Sequence, residues 1–334
     1  MTSQKIKLLL LSSFSILFYE KLDAESIENH LLTPHLTDET TPWLTGPLLA
    51  PSGHTVPPGH VNIEPYVYFF ASAGSYNKNW DYSSSNNFYT LAEQNYIQVG
   101  ISDFMDFQIV PQMNYKFTQG VRSTKFADLP FNVGFQLVND SEGTRLPAVK
   151  LYFRGSAPLG KYKNLNPEKL GTDSSGNGSW APGIGLAFSR LYQLKNKHFL
   201  APRFSLNYVA HTPVQVEGIN TFGGSLDTKG TIYPGNVFWS DFGLEYTLTR
   251  NWVFAMDIFY SHTNKVRFSG KPGFIAPGVP VKMTSPSSES ISLAPAIEYN
   301  WNINVGLIAG VWFTVKGRNS SQFTSGVIAL NMYI

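Results

Sequence analysis

Charged and amide side chains recur at every second position in several apolar segments of this 334-residue chain. In residues 104–117, Asp106, Gln108, Gln112 and Lys116 alternate with Met, Phe, Ile and Tyr. Successive side chains of a β-strand point to opposite faces, so this spacing places polar groups on one face and apolar groups on the other. The polar-face residues singled out in this way are Asp106, Gln108, Gln112, Lys116, Lys150, Arg154, Arg203, Asp241, Glu245, Asp257 and Glu298.

Charges on one face of a closed sheet can serve two different purposes. They can pair across the interior and hold the strands in register, or they can form a constriction that selects solutes. A Lys or Arg that faces lipid at mid-membrane costs roughly 2–4 kcal/mol. We therefore predict that this set lines the lumen of a barrel, and the spacing leaves both purposes open.

Residues with catalytic or metal-binding chemistry are present, but their spacing does not support a site. Ser261, His262 and Asn264 come nearest to the serine site of an outer-membrane lipase. As neighbours on a strand, however, Ser261 and His262 point to opposite faces. The chain has seven His without HExxH-type spacing and no Cys, and the glycine-rich residues 171–178 lack the Lys of a phosphate loop. We predict no catalytic site, no metal site and no cofactor.

The polar and apolar residues alternate in long segments from about residue 60 to the C-terminus. These segments resemble the strands of about 9–11 residues that cross a membrane more than the strands of about 5–6 residues found in most soluble sheets. We count about 12 strands, with 10 or 14 as acceptable counts. The predicted strands are 60–74, 88–101, 104–117, 130–139, 146–157, 179–193, 197–211, 232–249, 251–265, 288–300, 302–316 and 321–334.

The connections between these strands alternate between tight turns and longer polar stretches. Tight turns are expected at 102–103, 194–197, 249–251 and 300–302, with a somewhat longer one at 139–145. Short turns on one rim and long loops on the other are typical of outer-membrane barrels. The longer stretches lie near 75–88, 118–129, 158–178, 212–231 and 266–288.

The final residues of the chain alternate as a strand does, with Ile328, Leu330, Met332 and Ile334 in one phase. A last strand with an unpaired edge is not tolerated in lipid, so it must pair with the first strand. The sequence therefore predicts an all-β fold, a closed antiparallel transmembrane β-barrel with short periplasmic turns and long extracellular loops. Aromatic residues near the strand ends are expected in a girdle at the lipid–water boundary. These are Trp180, Tyr208, Trp239, Trp252, Trp301 and Trp312.

The N-terminal residues have the order of a secretory signal peptide. Lys5 and Lys7 precede the apolar residues 8–19, and Ala24 follows. The apolar run is shorter than the roughly 20 residues of a membrane-spanning helix. We expect a signal peptide at 1–24, a Pro-rich leader at 25–58 that lies in the periplasm or is tucked into the lumen, and the barrel at 59–334.

The composition fits a membrane barrel better than a soluble domain or a nucleic-acid binder. Charged residues make up 14% of the chain and aromatic residues 14%, whereas soluble domains have about 25% charged residues. The mean hydropathy is only −0.12, as expected where alternate residues face a polar interior. A net charge of +2 without a basic stripe argues against a nucleic-acid partner.

Three segments of the chain carry a resemblance to known proteins, and they are VPPGHVNIEPYVYF at 56–69, YIQVGISDFMDFQIVPQMNY at 96–115 and LPAVKLYFRGSAPLGK at 146–161. They resemble a family of bacterial outer-membrane proteins, the one named for the meta-pathway of phenol degradation. The third has Ala-Pro-Leu-Gly where Pro-Thr-Gly is more usual in that family. The resemblance covers roughly 56–334 and implies a transporter or porin-like barrel, loosely similar to long-chain fatty-acid transporters.

These observations together favour a pore or passive transporter in the outer membrane of a Gram-negative cell envelope. The expected solutes are small, with hydrophobic or aromatic molecules among them. The alternatives are a non-transporting surface barrel, adhesive or structural, that acts through its loops, and a lipase-type enzyme. The expected partners are outer-membrane lipid, a small-molecule solute and the barrel-assembly machinery, which would recognise the C-terminal strand. The oligomeric state stays open.

Overall fold

The computed structural model describes residues 41–141 and 143–334. The predicted signal peptide lies outside the described residues, as does the first part of the predicted leader. The strand segments in the described part are β1 (Val61–Tyr76), β2 (Tyr82–Ser102), β3 (Met105–Ile109), β4 (Gln112–Thr118), β5 (Val121–Phe126), β6 (Leu129–Val138), β7 (Ala148–Ala157), β8 (Gly183–Ser189), β9 (Tyr192–Gln193), β10 (Phe199–Val209), β11 (Val214–Glu217), β12 (Lys229–Tyr233), β13 (Val237–Thr247), β14 (Trp252–Thr263), β15 (Arg267–Lys271), β16 (Phe274–Ala276), β17 (Val279–Pro280), β18 (Ser288–Asn300), β19 (Val305–Arg318) and β20 (Ser320–Tyr333).

Fifteen of these segments form one antiparallel sheet that closes on itself as a barrel of 12 strands. Three of the 12 wall strands are interrupted, so that β3 with β4, β5 with β6, and β8 with β9 each count as one. The first segment, β1, pairs with both β2 and β20. The Val61 N–H donates to the Ile334 carbonyl over 2.8 Å, and the Ile334 N–H donates to the Val61 carbonyl over 2.9 Å. The predicted closure and the predicted strand count are confirmed.

Side chains alternate between a buried inner face and an exposed outer face along the wall. On β14, Val253, Ala255 and Asp257 are completely buried, whereas Phe254 and Ile258 remain 39% and 38% exposed. An outer face of large apolar residues is the surface that a lipid bilayer requires. The charged residues of the sequence pattern fall on the opposite, inner face.

Pro111 explains the interruption between β3 and β4. Proline has no N–H to donate to the ladder, but the Pro111 carbonyl still accepts from the Asn95 N–H over 3.0 Å. Beside it, the Val110 N–H donates to the Pro130 carbonyl over 2.9 Å and the Ala127 N–H to the Gln112 carbonyl over 3.1 Å. The wall therefore stays closed across the interruption.

The two ends of the barrel differ in their connections. The end with the short connections also holds the start of β1 and the end of β20, and we call it the turn end. At the other end, the loop end, the chain leaves the wall between 158 and 182, between 210 and 236, and between 264 and 287. These long connections are where the sequence predicts them.

Two stretches predicted as loops are instead strands that extend the wall. Residues 75–88 include the end of β1 and the start of β2, and residues 118–129 form most of the β4–β5 hairpin. Its turn is Gln119-Gly120, with φ of +45° and +80°, the backbone required by a two-residue hairpin turn. The predictions for these two stretches are wrong because their polar residues are β-prone and continue the strand pairing beyond the apolar part of the wall.

The loop end carries a small sheet of its own, formed by β11, β12 and β15. Val214, Val216, Ile232 and Met283 form its buried core. In the described residues, helical structure is limited to two 3-10 turns, Pro167–Lys169 and Lys195–Lys197. No helix in the described part of the chain is long and apolar enough to cross a membrane.

Candidate functional site

Residues 43–58, which we call the inner segment, lie inside the barrel near the turn end. The segment has no strand partner along most of its length, so its backbone N–H groups need other acceptors. Four buried carboxylates of the wall accept these N–H groups over N–O distances of 2.8–3.1 Å. The pairs are Thr45 with Glu298, Gly46 with Glu245, Ala50 with Asp257, and Val56 with Asp106.

Polar side chains of the wall hold the inner segment at further points. The Gln136 side chain accepts from the Thr55 N–H over 2.7 Å and donates to the Gly53 carbonyl over 2.9 Å. Lys150 Nζ donates to the His54 carbonyl over 3.0 Å. Hydrogen bonds therefore join the segment to strands on several sides of the barrel, from β3, β6 and β7 to β13, β14 and β18.

A glycine of the wall gives the inner segment the space it needs. A Cβ on Gly100 of β2 would lie 1.8 Å from the Pro57 carbonyl oxygen, which is far inside van der Waals contact. Pro58 forms an isolated parallel bridge with Gly100 at this point. The absence of a side chain at Gly100 lets the two backbones meet.

The four carboxylates that bind the inner segment, which we call the covered carboxylates, are all completely buried. Two of them also face a cation. Arg203 Nη2 lies 3.2 Å from Glu245 Oε2, and Lys150 Nζ lies 3.7 Å from Asp106 Oδ2. A buried carboxylate is costly unless it is paired and hydrogen-bonded. The segment supplies one hydrogen bond to each carboxylate and the cations supply an ion pair to two of them, while one oxygen of each carboxylate has no hydrogen-bond partner among the described residues. The covered carboxylates are Asp106, Glu245, Asp257 and Glu298.

A cavity of about 760 Å³ lies between the inner segment and the wall, where it is lined by side chains of β1, β2, β3, β6, β7, β10, β13, β14 and β20. Its aromatic lining includes Tyr66, Tyr68, Tyr96 and Trp239. None of the covered carboxylates lines it. The charged side chains that do so are Glu64, Asp103, Lys150, Arg154 and Arg203.

The residues of the sequence pattern thus fall into three groups. Four are covered by the inner segment, as described above. Gln108, Lys150, Arg154 and Arg203 line the cavity. The others lie elsewhere on the inner face, and they are Gln112, Lys116 and Asp241.

Two residues of the third group bind backbone carbonyls, which the sequence pattern does not indicate. Lys116 Nζ donates to the Ser174 carbonyl of a loop over 2.6 Å, and Gln112 Nε2 donates to the Asp128 carbonyl over 3.1 Å. Asp241 is buried, and its Oδ1 has no hydrogen-bond partner among the described residues. Lys116 and Gln112 therefore hold loop and wall backbone in place.

Comparison with solved structures identifies the architecture. The barrel is similar to an outer-membrane channel from Pseudomonas putida F1, with a TM-score of 0.65 and 10% identity over 86% of this chain and 100% of that chain. The fold is that of an outer-membrane barrel.

Further solved structures match with TM-scores below 0.5, among them a porin and a hydrocarbon channel. The NanC porin gives 0.43 with 9% identity, covering 81% of this chain and 98% of the porin. A deletion mutant of the TodX monoaromatic hydrocarbon channel gives 0.36 with 12% identity, covering 83% and 90%. No protein-family model and no curated protein matches the sequence. The resemblance to the family named for phenol degradation stays a prediction.

The structure corrects the girdle prediction for two of the aromatic residues. Trp239 lines the cavity, and Trp312 packs against Phe70 and Phe323 inside the barrel, at ring-centroid distances of 5.9 and 4.9 Å. Nearness to a strand end alone predicts a girdle position for both. The strand phase would have placed them correctly, because Trp239 shares its phase with Asp241 and Trp312 shares its phase with Gly310.

The sequence pattern does not identify the inward aromatic side chains of β1 as site residues. Tyr66 and Tyr68 stack with centroids 5.5 Å apart, and Tyr68 stacks on Phe70 at 5.6 Å. Tyr96 of β2 meets Tyr66 edge-on at 5.2 Å. Their alternation with Val67 and Phe69 is visible in the sequence, but both faces of β1 are apolar there. The pattern gives no indication of which face is inside.

The structure does not bring Ser261 and His262 together. Ser261 Oγ lies 2.8 Å from Ser290 Oγ, whereas His262 Nδ1 lies 3.3 Å from Glu289 and Nε2 lies 3.1 Å from Asn264 Oδ1. Within residues 41–141 and 143–334, no group of three or more His, Asp or Glu is placed to hold a metal ion. The absence of an enzymatic activity stays a prediction.

Proposed function

We propose that this protein is a channel of the bacterial outer membrane, and that small solutes cross it through the cavity beside the inner segment. The observation that carries the proposal is a cavity of about 760 Å³ inside a closed barrel, lined by charged and aromatic side chains. A barrel filled solid by side chains would offer no path. The match in fold to an outer-membrane channel from P. putida supports the same function.

The inner segment narrows the proposed path. Hydrogen bonds hold it against β3, β6, β7, β13, β14 and β18, and the cavity is the space that it leaves inside the barrel. A solute on this path passes Lys150, Arg154 and Arg203. We propose these three side chains, with Gln108, as the lumen-lining residues that contact it. The covered carboxylates instead brace the wall and the inner segment.

We further propose how the protein reaches its membrane. The predicted signal peptide at 1–24 exports the chain, and the assembly machinery recognises the strand that ends the chain, β20. The short connections then face the periplasm and the long ones the cell exterior. Fractionation of cells into inner and outer membranes tests this localisation, and recovery of the protein in the inner membrane would contradict it.

The channel itself is tested with the full chain refolded into planar bilayers and liposomes. We expect discrete conductance steps in KCl and swelling of liposomes in small solutes. Deletion of residues 43–55 should raise the conductance severalfold, because it removes the obstacle from the lumen. A matched deletion of residues 274–280, the β16–β17 hairpin of the loop end, should leave the conductance unchanged. No conductance in either the full chain or the 43–55 deletion would contradict a channel.

A surface barrel that acts through its loops is the second candidate function. The observation in its favour is the exposed apolar tip of the loop end, where Leu226, Phe274 and Ile275 are 75%, 57% and 70% exposed. Large exposed apolar patches mark interaction sites. Binding to a partner that is lost in the 274–280 deletion, without any solute permeation, would favour this function over the channel.

A further inference from the structure

The inner segment changes which charges the cavity presents. All four covered carboxylates turn at least one oxygen to a backbone N–H of the segment, and none of them lines the cavity. The cations on the same inner face, Lys150, Arg154 and Arg203, remain on the cavity surface. The cavity is therefore more positive than the composition of the inner face indicates.

Arg154 differs from the other two cations because it has no carboxylate partner within ion-pair distance among the described residues. Lys150 is paired with Asp106, and Arg203 with Glu245. Arg154 Nη1 donates to the Asn207 side-chain oxygen over 3.0 Å. A guanidinium has five N–H donors in a planar fork, and that fork matches a carboxylate. Arg154 therefore keeps donors for an anion in the cavity.

The surroundings of Arg154 are aromatic. The guanidinium carbon lies 4.5 Å from the centroid of the Trp239 ring, within the distance of a cation–π contact. Tyr66, Tyr68 and Tyr96 line the same cavity, and the Tyr66 ring contacts the rings of both Tyr68 and Tyr96. Aromatic rings pack well against one another at such distances.

We propose that the cavity binds a small aromatic carboxylate, with the carboxylate on Arg154 and the ring among Tyr66, Tyr68 and Tyr96. This inference rests on the proposed channel and names the class of its solute. A neutral aromatic molecule would leave the guanidinium without a charged partner as it displaced water, which is unfavourable. A cationic solute would be repelled by Lys150, Arg154 and Arg203.

The remaining charges near the cavity are compatible with an anion. The Glu64 carboxylate accepts hydrogen bonds from Asn62 over 2.6 Å and from Asn331 over 2.8 Å, so its Oε1 is already directed at amides of the wall. Asp103 lies in the turn between β2 and β3, at the end of the barrel. Neither acid forms an ion pair with Arg154.

The test compares three probes on the full chain. Benzoate has a ring and a carboxylate, acetate has the carboxylate alone, and benzamide has the ring without the charge. Binding is measured by titration calorimetry in detergent, which needs no open pore, and by the reduction of KCl conductance in bilayers. We expect benzoate to bind at least about tenfold more tightly than either other probe, as expected for a charge-assisted bond combined with ring packing.

The variant Arg154→Gln should reduce benzoate binding at least about tenfold and bring it to the level of benzamide. Arg154→Lys keeps the charge without the fork and should fall between the two. The matched control is Arg122→Gln, because Arg122 is exposed on β5 and lies outside the cavity. This variant should bind benzoate as the unaltered protein does. Circular dichroism checks that each variant retains its strand content.

Different results would overturn the proposed binding site and the proposed channel. Conductance with equal binding of benzoate and acetate, or with benzoate binding retained in Arg154→Gln, overturns the site and leaves the channel. Tight benzoate binding that depends on Arg154, together with no conductance in either the full chain or the 43–55 deletion, supports the site and overturns the channel.

Discussion

Each covered carboxylate accepts a backbone N–H of the inner segment, and this hydrogen bond stabilises both partners. A charged group inside a barrel is unfavourable without hydrogen bonds, and an extended segment without a neighbouring strand leaves N–H groups unsatisfied. At Thr45, for example, the backbone N–H donates to Glu298 Oε2 over 3.1 Å. The spacing of acids along the wall is thus matched to the backbone of residues 45–56.

Replacement of Glu298 tests this dependence. Glu298→Ala removes the acceptor of the Thr45 N–H and should weaken docking of the segment by about 1–3 kcal/mol, whereas Glu298→Gln keeps an oxygen and should have a smaller effect. Hydrogen exchange of peptides from residues 43–50 measures the docking, and exchange should be faster in the Ala variant. Glu168→Gln, at an exposed loop position, is the control. Equal protection in the Ala variant and the control would contradict the role of Glu298.

Strand phase made the inner residues predictable, and the absence of any period made the inner segment unpredictable. Asp257 and Glu298 could be placed inside because polar and apolar residues alternate around them. Nothing in the Pro-rich residues 41–58 shows a period, so the sequence left the leader either in the periplasm or in the lumen. Whether Arg154 has a carboxylate partner depends on side chains of other strands, such as Asn207 of β10 and Trp239 of β13. The residues of its own strand do not indicate it.

At the scale of elements, the inner segment and β2 meet where one strand lacks a side chain. A Cβ on Gly100 would lie 1.8 Å from the Pro57 carbonyl oxygen, so Gly100→Ala must displace the segment or the strand. We expect the segment to move, because β2 is held by ladders on both sides. Conductance should therefore rise in Gly100→Ala, although not beyond the level of the 43–55 deletion.

Gly326→Ala is the matched control for this substitution. Gly326 lies in β20, and a Cβ there would meet nothing within 4 Å. Its conductance should equal that of the unaltered protein. Equal conductance in all three proteins would mean that residues 57–58 do not limit the path.

The loop of residues 158–182 contains an acid whose ionisation should stabilise it. Burial alone would raise the pKa of Asp173, but hydrogen bonds from Lys161 Nζ over 2.6 Å and from the Asn166 N–H over 3.1 Å lower that pKa below its ordinary value of 3.8. A lowered pKa in the folded state gives stability that is present above pH 3.8 and is lost as the pH falls through the folded pKa. The loop should therefore loosen below about pH 4.

Limited proteolysis between pH 3 and pH 6 with an acid-tolerant protease measures this change. Cleavage within residues 158–182 should increase at the acidic end in the unaltered protein. Asp173→Asn cannot ionise, so its cleavage should be high and nearly independent of pH over this range. The same pH dependence in both proteins would assign the effect to another group.

At the scale of the whole molecule, the inner segment should set the charge preference of the channel. In the intact protein it covers Glu245, Asp257 and Glu298 through backbone N–H groups, while Lys150, Arg154 and Arg203 line the cavity. Uncovered carboxylates attract cations into a pore, and uncovered cations attract anions. The sign of the selectivity thus depends on whether the segment is in place.

Deletion of residues 43–55 exposes Glu245, Asp257 and Glu298 in the lumen. Lys150 and Arg203 remain there but stay paired with Asp106 and Glu245. The preference of the channel should therefore change from anions to cations. The measurement is the reversal potential in a KCl gradient across a planar bilayer, which should change sign between the intact protein and the deletion. The 274–280 deletion, at the loop end, should keep the sign of the intact protein. A triple variant that combines the 43–55 deletion with Glu245→Gln and Glu298→Gln should recover the anion preference, since it removes two of the exposed charges. If the sign stays the same in all four proteins, the selectivity filter lies outside the part of the lumen that the inner segment covers.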